Sequence, residues 1–176
     1  MTLLDQSPND VQAGAVAVLK TTRLVLRTPR IEDAKQVALL ANEHRIAENT
    51  AGLPHPYRVG DAKQWISAAR SQSGDFVITL GGEVIGACGI EQTKLGYWIG
   101  VPFWGVGYAT EAARGLIDHA FGDLGHMVLT ASARISNPAS RRVLEKCGFE
   151  WTGAGLCRIR AISSSVPVDR FRLERP

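Results

Sequence analysis

The segment between residues 95 and 121 constrains the fold of this chain more than any other. Aromatic and β-branched residues over 95–101 predict a strand, and residues 109–121 carry the apolar periodicity of a helix. Between them lies Gly105-Val106-Gly107, which allows a tight backbone turn. Such a loop before a helix N-terminus offers free amides and a positive dipole to a phosphate group. The segment therefore predicts a phosphate cradle, and the alternative is a glycine turn required only for packing.

Two well-known phosphate loops do not match this segment. A P-loop requires Lys and then Ser or Thr after its last glycine, whereas Tyr108 follows Gly107 here. A dinucleotide fingerprint requires Gly or Ala at its sixth position, which is Thr110, and an acidic residue after the next strand. Residues 131–134 contain no acid. The first loop type is excluded and the second is disfavoured.

The rest of the pattern predicts one α/β (α+β) domain, with a mixed sheet and helices packed against it. The predicted strands cover residues 23–27, 76–80, 84–90, 128–133, 149–152, 157–162 and 168–173. The other predicted helices cover residues 31–43, 60–70 and 138–146, the last with Asn137 as its N-cap. The domain is predicted to span residues 21–176, and residues 1–20 are interpreted as a loose extension or an added edge element.

Charge and cysteine usage limit the class of partner and the compartment. The chain has 20 basic and 17 acidic residues, and nine of the basic but only four of the acidic ones lie in residues 134–176. This local excess indicates a bound anion more than nucleic acid. Three cysteines without metal-ligand spacing favour a reducing, cytoplasmic compartment, and no metal site is predicted. We expect neither a signal peptide nor a membrane span.

Four segments, in the correct order, resemble the RimJ/RimL-like branch of the Gcn5-related N-acetyltransferase (GNAT) superfamily. They are residues 23–27, residues 53–57 with the helix that follows, the run from Gly96 to Ala112, and residues 137–149. The last is similar to the pattern Asn-x-x-Ser-x-x-x-x-x-Lys-x-Gly-Phe. In the glycine loop Trp104 stands where the family has Gln or Arg. The resemblance covers about residues 22–174.

This resemblance implies a GNAT-like mixed, mostly antiparallel central sheet with helices on both faces, which binds acetyl-CoA as cosubstrate. One strand would splay from its neighbour and pair with the pantetheine arm, and the loop amides would hold the pyrophosphate. The 3′-phosphate would be reached by Arg142 or its neighbour Arg141. The implied cofactor-binding residues are Trp98, Ile99, Gly100, Val101, Trp104, Gly105, Val106, Gly107, Tyr108, Ala109, Thr110, Asn137, Ser140 and Arg142.

The chemistry of amide formation leaves one role open. A neutral amine must attack the thioester, so an ammonium group must first lose a proton to a base or through water. The branch often has an acid where this chain has Lys94, and lysine does not replace it unless its pKa is strongly depressed. Glu91 is a candidate base, and the other candidates are Glu43, His44 and Glu48 on the substrate side. Ser140 is the candidate general acid for the leaving thiolate.

The leading prediction is an acetyl-CoA-dependent N-acetyltransferase acting on a primary amine, either a protein N-terminus or a small amine. Lys94 motivates the alternative, a non-catalytic CoA-binding or regulatory domain of the same fold. A nucleic-acid-binding protein is a third class, which depends only on the basic tail and lacks interleaved aromatic and basic residues. Similar proteins are commonly homodimers, and the oligomeric state is left open.

Overall fold

Residues 17–71 and 74–176 are described by the structure, a computed structural model, and within them eight strands form one sheet. The strands are β1 (Val18–Lys20), β2 (Leu24–Arg27), β3 (Asp75–Leu80), β4 (Glu83–Glu91), β5 (Lys94–Ile99), β6 (Val128–Arg134), β7 (Glu150–Ile159) and β8 (Ser164–Glu174). The α-helices are α1 (Ala34–Ala41), α2 (His44–Ala47), α3 (Val59–Ser71), α4 (Tyr108–Gly122) and α5 (Pro138–Lys146). Short 3₁₀ turns lie at Ile31–Asp33, Val101–Phe103 and Arg160–Ile162.

The strand order is β1-β2-β3-β4-β5-β6-β8-β7. Every neighbouring pair is antiparallel except β5 and β6, which run parallel. These two central strands share one paired position, Lys94 with Thr130, whereas β4 and β5 pair along the whole of β5. The sheet is therefore interrupted at its centre, between two well-paired halves.

Helices cover both faces of the sheet because its strands alternate their buried side chains. On β3, Phe76 points into a core shared with α4 and α5, and Val77 points into a second core shared with α1 and α3. Both side chains are at most 2% exposed. The predicted fold class is confirmed: a mixed, mostly antiparallel sheet with helices on both faces.

The helix predicted to begin after Asn137 is confirmed in detail. The Asn137 side chain accepts a hydrogen bond from the Ser140 backbone N–H at 3.2 Å, and Pro138 occupies the first helical position. Gly148, predicted to stop this helix, has a φ of 89°, which glycine adopts without steric cost. This local sequence therefore determines where α5 begins and ends.

The prediction was wrong at the end of the sheet. Residues 149–152 and 157–162, predicted as two strands, belong mainly to the single strand β7, and residues 160–162 form a 3₁₀ turn. The strand β8 pairs along almost all of β7, with an irregularity between Trp151 and Gly153. Long-range pairing therefore overrides the local pattern, as is common for β-structure. The short helix α2 was not predicted.

The first twenty residues contribute one element to the described part of the chain. Val18–Lys20 form β1, which pairs with β2 at the edge of the sheet. Residues 1–16 of the predicted extension lie outside the described residues, and the domain boundary at residue 21 stays a prediction. Within the described ranges, no helix is both long and apolar enough to cross a membrane.

Candidate active site

The interruption between β5 and β6 opens a cleft at the centre of the sheet. The Thr130 N–H donates to the Thr93 carbonyl at 2.8 Å beside the single paired position. Farther along β5, the Gly100 N–H donates to Ile85 on β4 at 2.7 Å. Because backbone groups alternate in direction along a strand, the N–H and C=O groups of Tyr97 and Ile99 point to the opposite side, into the opening. An extended ligand can pair with them there.

Trp104 has a specific role at the end of this opening. Its indole N–H donates to the Ile99 carbonyl at 2.6 Å, and the Arg45 guanidinium lies 5.7 Å from its ring centroid. The indole thereby satisfies one carbonyl of the splayed strand and leaves the Ile99 N–H and the Tyr97 backbone groups for a ligand. Trp104, which stands where the family pattern has Gln or Arg, thus forms a side-chain hydrogen bond with the end of β5.

The glycine loop leaves open space where a phosphate would lie. Gly105 and Gly107 have φ values of 81° and 87°, and Gly107 immediately precedes α4. A Cβ built on Gly105 would meet no atom within 4 Å, and one on Gly107 would meet only the Arg23 side chain, at 3.6 Å. The turn therefore presents the first amides of a 15-residue helix to open space, which fits an anionic diphosphate.

Arg23 contacts both this loop and Glu111, and no motif in the sequence marks either residue as part of a site. The Arg23 guanidinium donates to the Val106 carbonyl at 3.1 Å and to the Glu111 carboxylate at 2.7 Å. It also lies 4.6 Å from the centroid of the Tyr108 ring. Because 88 positions separate Arg23 from Glu111, no local pattern could have identified the pair.

Ser140, the predicted proton donor, lies on the cleft wall, and its side chain has a hydrogen-bond partner. Its hydroxyl is 3.0 Å from the Tyr97 hydroxyl, which also donates to the Ser140 carbonyl at 3.2 Å. Burial raises the pKa of Tyr97 to about 12, although the hydrogen bond with Ser140 opposes that shift. Tyr97 therefore remains protonated at neutral pH. Both residues line the cleft.

The cleft has a volume of about 580 Å³ and continues from the opening to the loop between α2 and α3. Its walls come from α3, β5, β6, α5 and the end of β7. Charged side chains of both signs line it: Asp61, Asp75, Glu91, Lys94, Arg134 and Arg160. Asp75 was missed in the sequence because nothing near it resembles a motif.

The candidate bases are in different environments. Glu91 lines the cleft and is exposed at the turn between β4 and β5. Glu43 does not line the cleft, and the Arg45 guanidinium, 2.9 Å away, lowers the pKa of its carboxyl. Glu48 faces Arg134 at 3.5 Å and His44 at 3.9 Å. Of the sequence-derived candidates, only Glu91 is on the cleft wall.

The two arginines of α5 are also distinguished by their contacts. Arg141 donates to Glu145 at 2.8 Å and to Asp169 at 3.0 Å, so its charge is already compensated within the protein. Arg142 is exposed, and no ion pair involves it among the described residues. Arg142 is therefore the better placed of the two for an external anion.

Comparisons with known proteins agree with this architecture. The family described as the acetyltransferase (GNAT) domain matches residues 23–150. An uncharacterized N-acetyltransferase, p20 from Bacillus licheniformis, is 28% identical over 148 residues, which cover 77% of this chain and 83% of p20.

Solved structures share the fold at low sequence identity. A GNAT-family acetyltransferase from Bacillus anthracis is 17% identical with a TM-score of 0.80, covering 90% of this chain and 98% of that one. Mycobacterium smegmatis RimJ, solved with CoA-disulfide, is 23% identical with a TM-score of 0.75, covering 90% and 86%.

The chain belongs to the GNAT family of acetyltransferases, since the family match covers well over half of its length. It is an acyltransferase that depends on acetyl-CoA. The predicted superfamily, enzyme class and cosubstrate are thereby confirmed.

Proposed function

We propose that this chain transfers the acetyl group of acetyl-CoA to a primary amine by direct attack, without a covalent enzyme intermediate. The observation that carries the proposal is the continuity of two features along one segment. The splayed edge of β5 leads through Trp104 directly into the glycine loop at the start of α4. Such an edge beside such a loop can hold an extended arm and a diphosphate side by side.

The binding roles follow from the geometry of each group. The amides from Gly105 to Ala109 would hold the diphosphate, and the backbone of Tyr97 and Ile99 would pair with the pantetheine arm. The Asn137 amide oxygen is used in the helix cap, so only its NH₂ group is available to the arm. Arg142 would contact the 3′-phosphate, because Arg141 is already paired.

The chemical step would use groups on both sides of the opening. A backbone N–H on the splayed edge, that of Ile99 or Tyr97, would stabilise the oxyanion that develops on the acetyl carbonyl. The Ser140 hydroxyl would donate a proton to the departing thiolate and be positioned by the Tyr97 hydroxyl behind it.

The acceptor would enter from the side of α3 and the loop before it. Two carboxylates lie on this side of the cleft, that of Asp61 on α3 and that of Asp75 beside Trp65 of α3, and they favour a cationic amine. Both acceptor classes fit: a protein N-terminus and a small amine. All three cysteines are free thiols, which agrees with action in a reducing, cytoplasmic compartment.

The test is turnover with a mixed acceptor panel, followed by mass spectrometry. The panel contains N-terminal peptides, lysine peptides, polyamines and aminoglycosides, each incubated with acetyl-CoA and the full chain. We expect acetylation of at least one amine, together with stoichiometric release of free CoA thiol. Tight binding of acetyl-CoA with no product from any acceptor class would instead support the non-catalytic alternative.

A further inference from the structure

Asp75 occupies a position on the acceptor side of the sheet that no sequence motif marks. It is the first residue of β3, and the strand registers align it with Gly89 of β4 and, through Gly89, with Gly96 of β5. Val77, two residues farther along β3, points into the core shared with α1 and α3. Because side chains alternate along a strand, Asp75 lies on this same face.

The two glycines provide the Asp75 carboxylate with an open path to the centre of the sheet. A Cβ on Gly89 would overlap the Asp75 Oδ1 atom, so the carboxylate lies directly over the backbone of β4. A Cβ on Gly96 would meet no atom within 4 Å. The surface from the carboxylate across Gly89 to Gly96 of β5 therefore carries no side chain. Asp75 lines the cleft.

This carboxylate lies on the same sheet face as Lys94, the residue at the position where the resembled branch often has an acid. Lys94, Gly96 and Trp98 alternate with Leu95 and Tyr97, which contact the core on the α4 side. An ammonium group at residue 94 cannot accept a proton while it is charged. A carboxylate two strands away on that face can perform the same function without any change to β5.

Its surroundings raise the proton affinity of Asp75. Burial raises the pKa of the Asp75 carboxyl, the indole N–H of Trp65 on α3 acts in the opposite direction, and Glu91 on β4 raises it again. The remaining charged groups that face this cleft are Asp61, Lys94, Arg134 and Arg160. A carboxylate with a raised pKa is better matched to proton transfer near neutral pH than an ordinary one.

We propose that Asp75 is the group that receives the proton from the acceptor ammonium. An N–H bond of the ammonium breaks, its electron pair stays on nitrogen, and the proton forms an O–H bond with the Asp75 carboxylate. The neutral amine then attacks the acetyl carbon and the C–S bond breaks. The nitrogen loses its second proton through water to Ser140, which replaces the proton that the Ser140 hydroxyl gives to the thiolate. Asp75 returns its own proton to water after the product leaves. This inference depends on the proposed acetyl transfer to an amine.

The test compares Asp75→Asn with the wild-type chain on an acceptor found in the panel. We expect kcat/KM to fall by about 100-fold or more at neutral pH and the loss to shrink as pH rises toward the acceptor's own pKa. The Kd for acetyl-CoA, measured by calorimetry, should be unchanged because the glycine loop is elsewhere. Asp75→Glu should recover part of the activity.

Two controls separate proton transfer from a folding effect. Glu83→Gln, at the exposed start of β4, changes a carboxylate to an amide in the same hairpin and should leave turnover within about twofold of wild type. A fluorinated acceptor analogue whose amine is already neutral at pH 7 should restore most of the Asp75→Asn activity. A misfolded or merely distorted variant would process both acceptors equally poorly.

The outcomes distinguish this inference from the function on which it depends. If the wild-type chain acetylates no amine, the proposed function fails. If it does and Asp75→Asn keeps wild-type kcat/KM at every pH, only the role of Asp75 is overturned. The same conclusion holds if Glu91→Gln, rather than Asp75→Asn, shows the pH-dependent loss.

Discussion

The Arg23 guanidinium and the Glu111 carboxylate form an ion pair 2.7 Å long that joins the start of β2 to the first turn of α4. The same carboxylate accepts the Thr21 hydroxyl at 2.6 Å and the Arg23 backbone N–H at 2.7 Å. Burial raises the pKa of Glu111, but these three donors outweigh burial and leave the pKa below its ordinary value. The glycine loop is therefore anchored to the sheet by a charged carboxylate.

Glu111→Gln should lower the stability of the fold and the affinity of the glycine loop for acetyl-CoA. We expect the free energy of unfolding to fall by about 1 kcal/mol at pH 7, a modest loss because the Arg23 side chain is 43% exposed. Acetyl-CoA should bind about fivefold more weakly if the loop is displaced. Urea unfolding and calorimetry measure the two effects.

The pH dependence of this effect has a definite sign. Because folding lowers the pKa of Glu111, its contribution is present above the ordinary value of 4.5 and is lost as pH falls through the folded-state pKa. The stability difference between wild type and Glu111→Gln should thus shrink as pH falls from 4.5 through the folded-state pKa. Glu145→Gln, in an exposed pair with Arg141, is the control and should cost less than about 0.5 kcal/mol. A difference that persisted in acid would contradict the electrostatic explanation.

Asp33→Asn should be more damaging to stability than Glu111→Gln. The Arg27 guanidinium donates to both Asp33 oxygens at 2.8 Å, and the Arg30 N–H donates to one of them at 2.7 Å. Both side chains are at most 15% exposed. We expect a loss of about 2–3 kcal/mol, measured by urea unfolding at neutral pH.

The comparison for Asp33 is an exposed pair of the same chemistry. Glu43→Gln removes the partner of Arg45, whose side chain is 58% exposed, and should change stability much less than Asp33→Asn does. Burial raises the pKa of Asp33, but its hydrogen bonds with Arg27 and Arg30 lower the pKa by more, so the net shift is downward. The stabilisation should therefore be lost as pH falls below the ordinary value of 3.8. Equal costs for the two substitutions would show that burial does not strengthen the Arg27–Asp33 pair.

Gly105→Asp should abolish acetyl-CoA binding while the chain remains folded. The substitution places a negative charge and a side chain in the open space where the diphosphate is proposed to lie. Gly125→Asp is a matched control, because Gly125 also has a positive φ, of 72°, and also has no atom within 4 Å of its Cβ position. Calorimetric titration should give a Kd raised at least about 100-fold for the first variant and an unchanged Kd for the second. Comparable Kd values would remove the diphosphate from this loop.

Ser140→Ala should slow turnover far more than it weakens acetyl-CoA binding. Loss of a proton donor to the thiolate lowers kcat by about 10- to 100-fold, near the lower end for general acid catalysis. Tyr97→Phe should have a smaller effect of the same kind, because Tyr97 acts through Ser140. Since the pKa of Tyr97 is about 12, the pH profile should show no ionisation of this tyrosine near neutrality. Wild-type kcat in Ser140→Ala would leave thiolate protonation to water.

Local patterns were sufficient for most elements of this fold. The sequence predicts the positions of the glycine loop, the N-cap at Asn137 and the helix stop at Gly148. Each depends on a backbone conformation or a hydrogen bond that only a few residue types provide. Residues 150–159 were misassigned because no such local signal determines their structure. Their pairing with β8 is a long-range interaction, which the local pattern of residues 149–162 does not show.

The sequence alone determined the glycine turn before α4 and the helix that carries Ser140, because each depends on short-range chemistry within a dozen or so residues. Its resemblance to known motifs indicated the superfamily. Tertiary structure alone decided which charges act together. Arg23 meets Glu111 across 88 positions, and Asp75 reaches the cleft only because strand register places Gly89 and Gly96 beside it. Electrostatic and proton-transfer partners are selected by distance in space, and distance in space follows from strand register rather than from residue type.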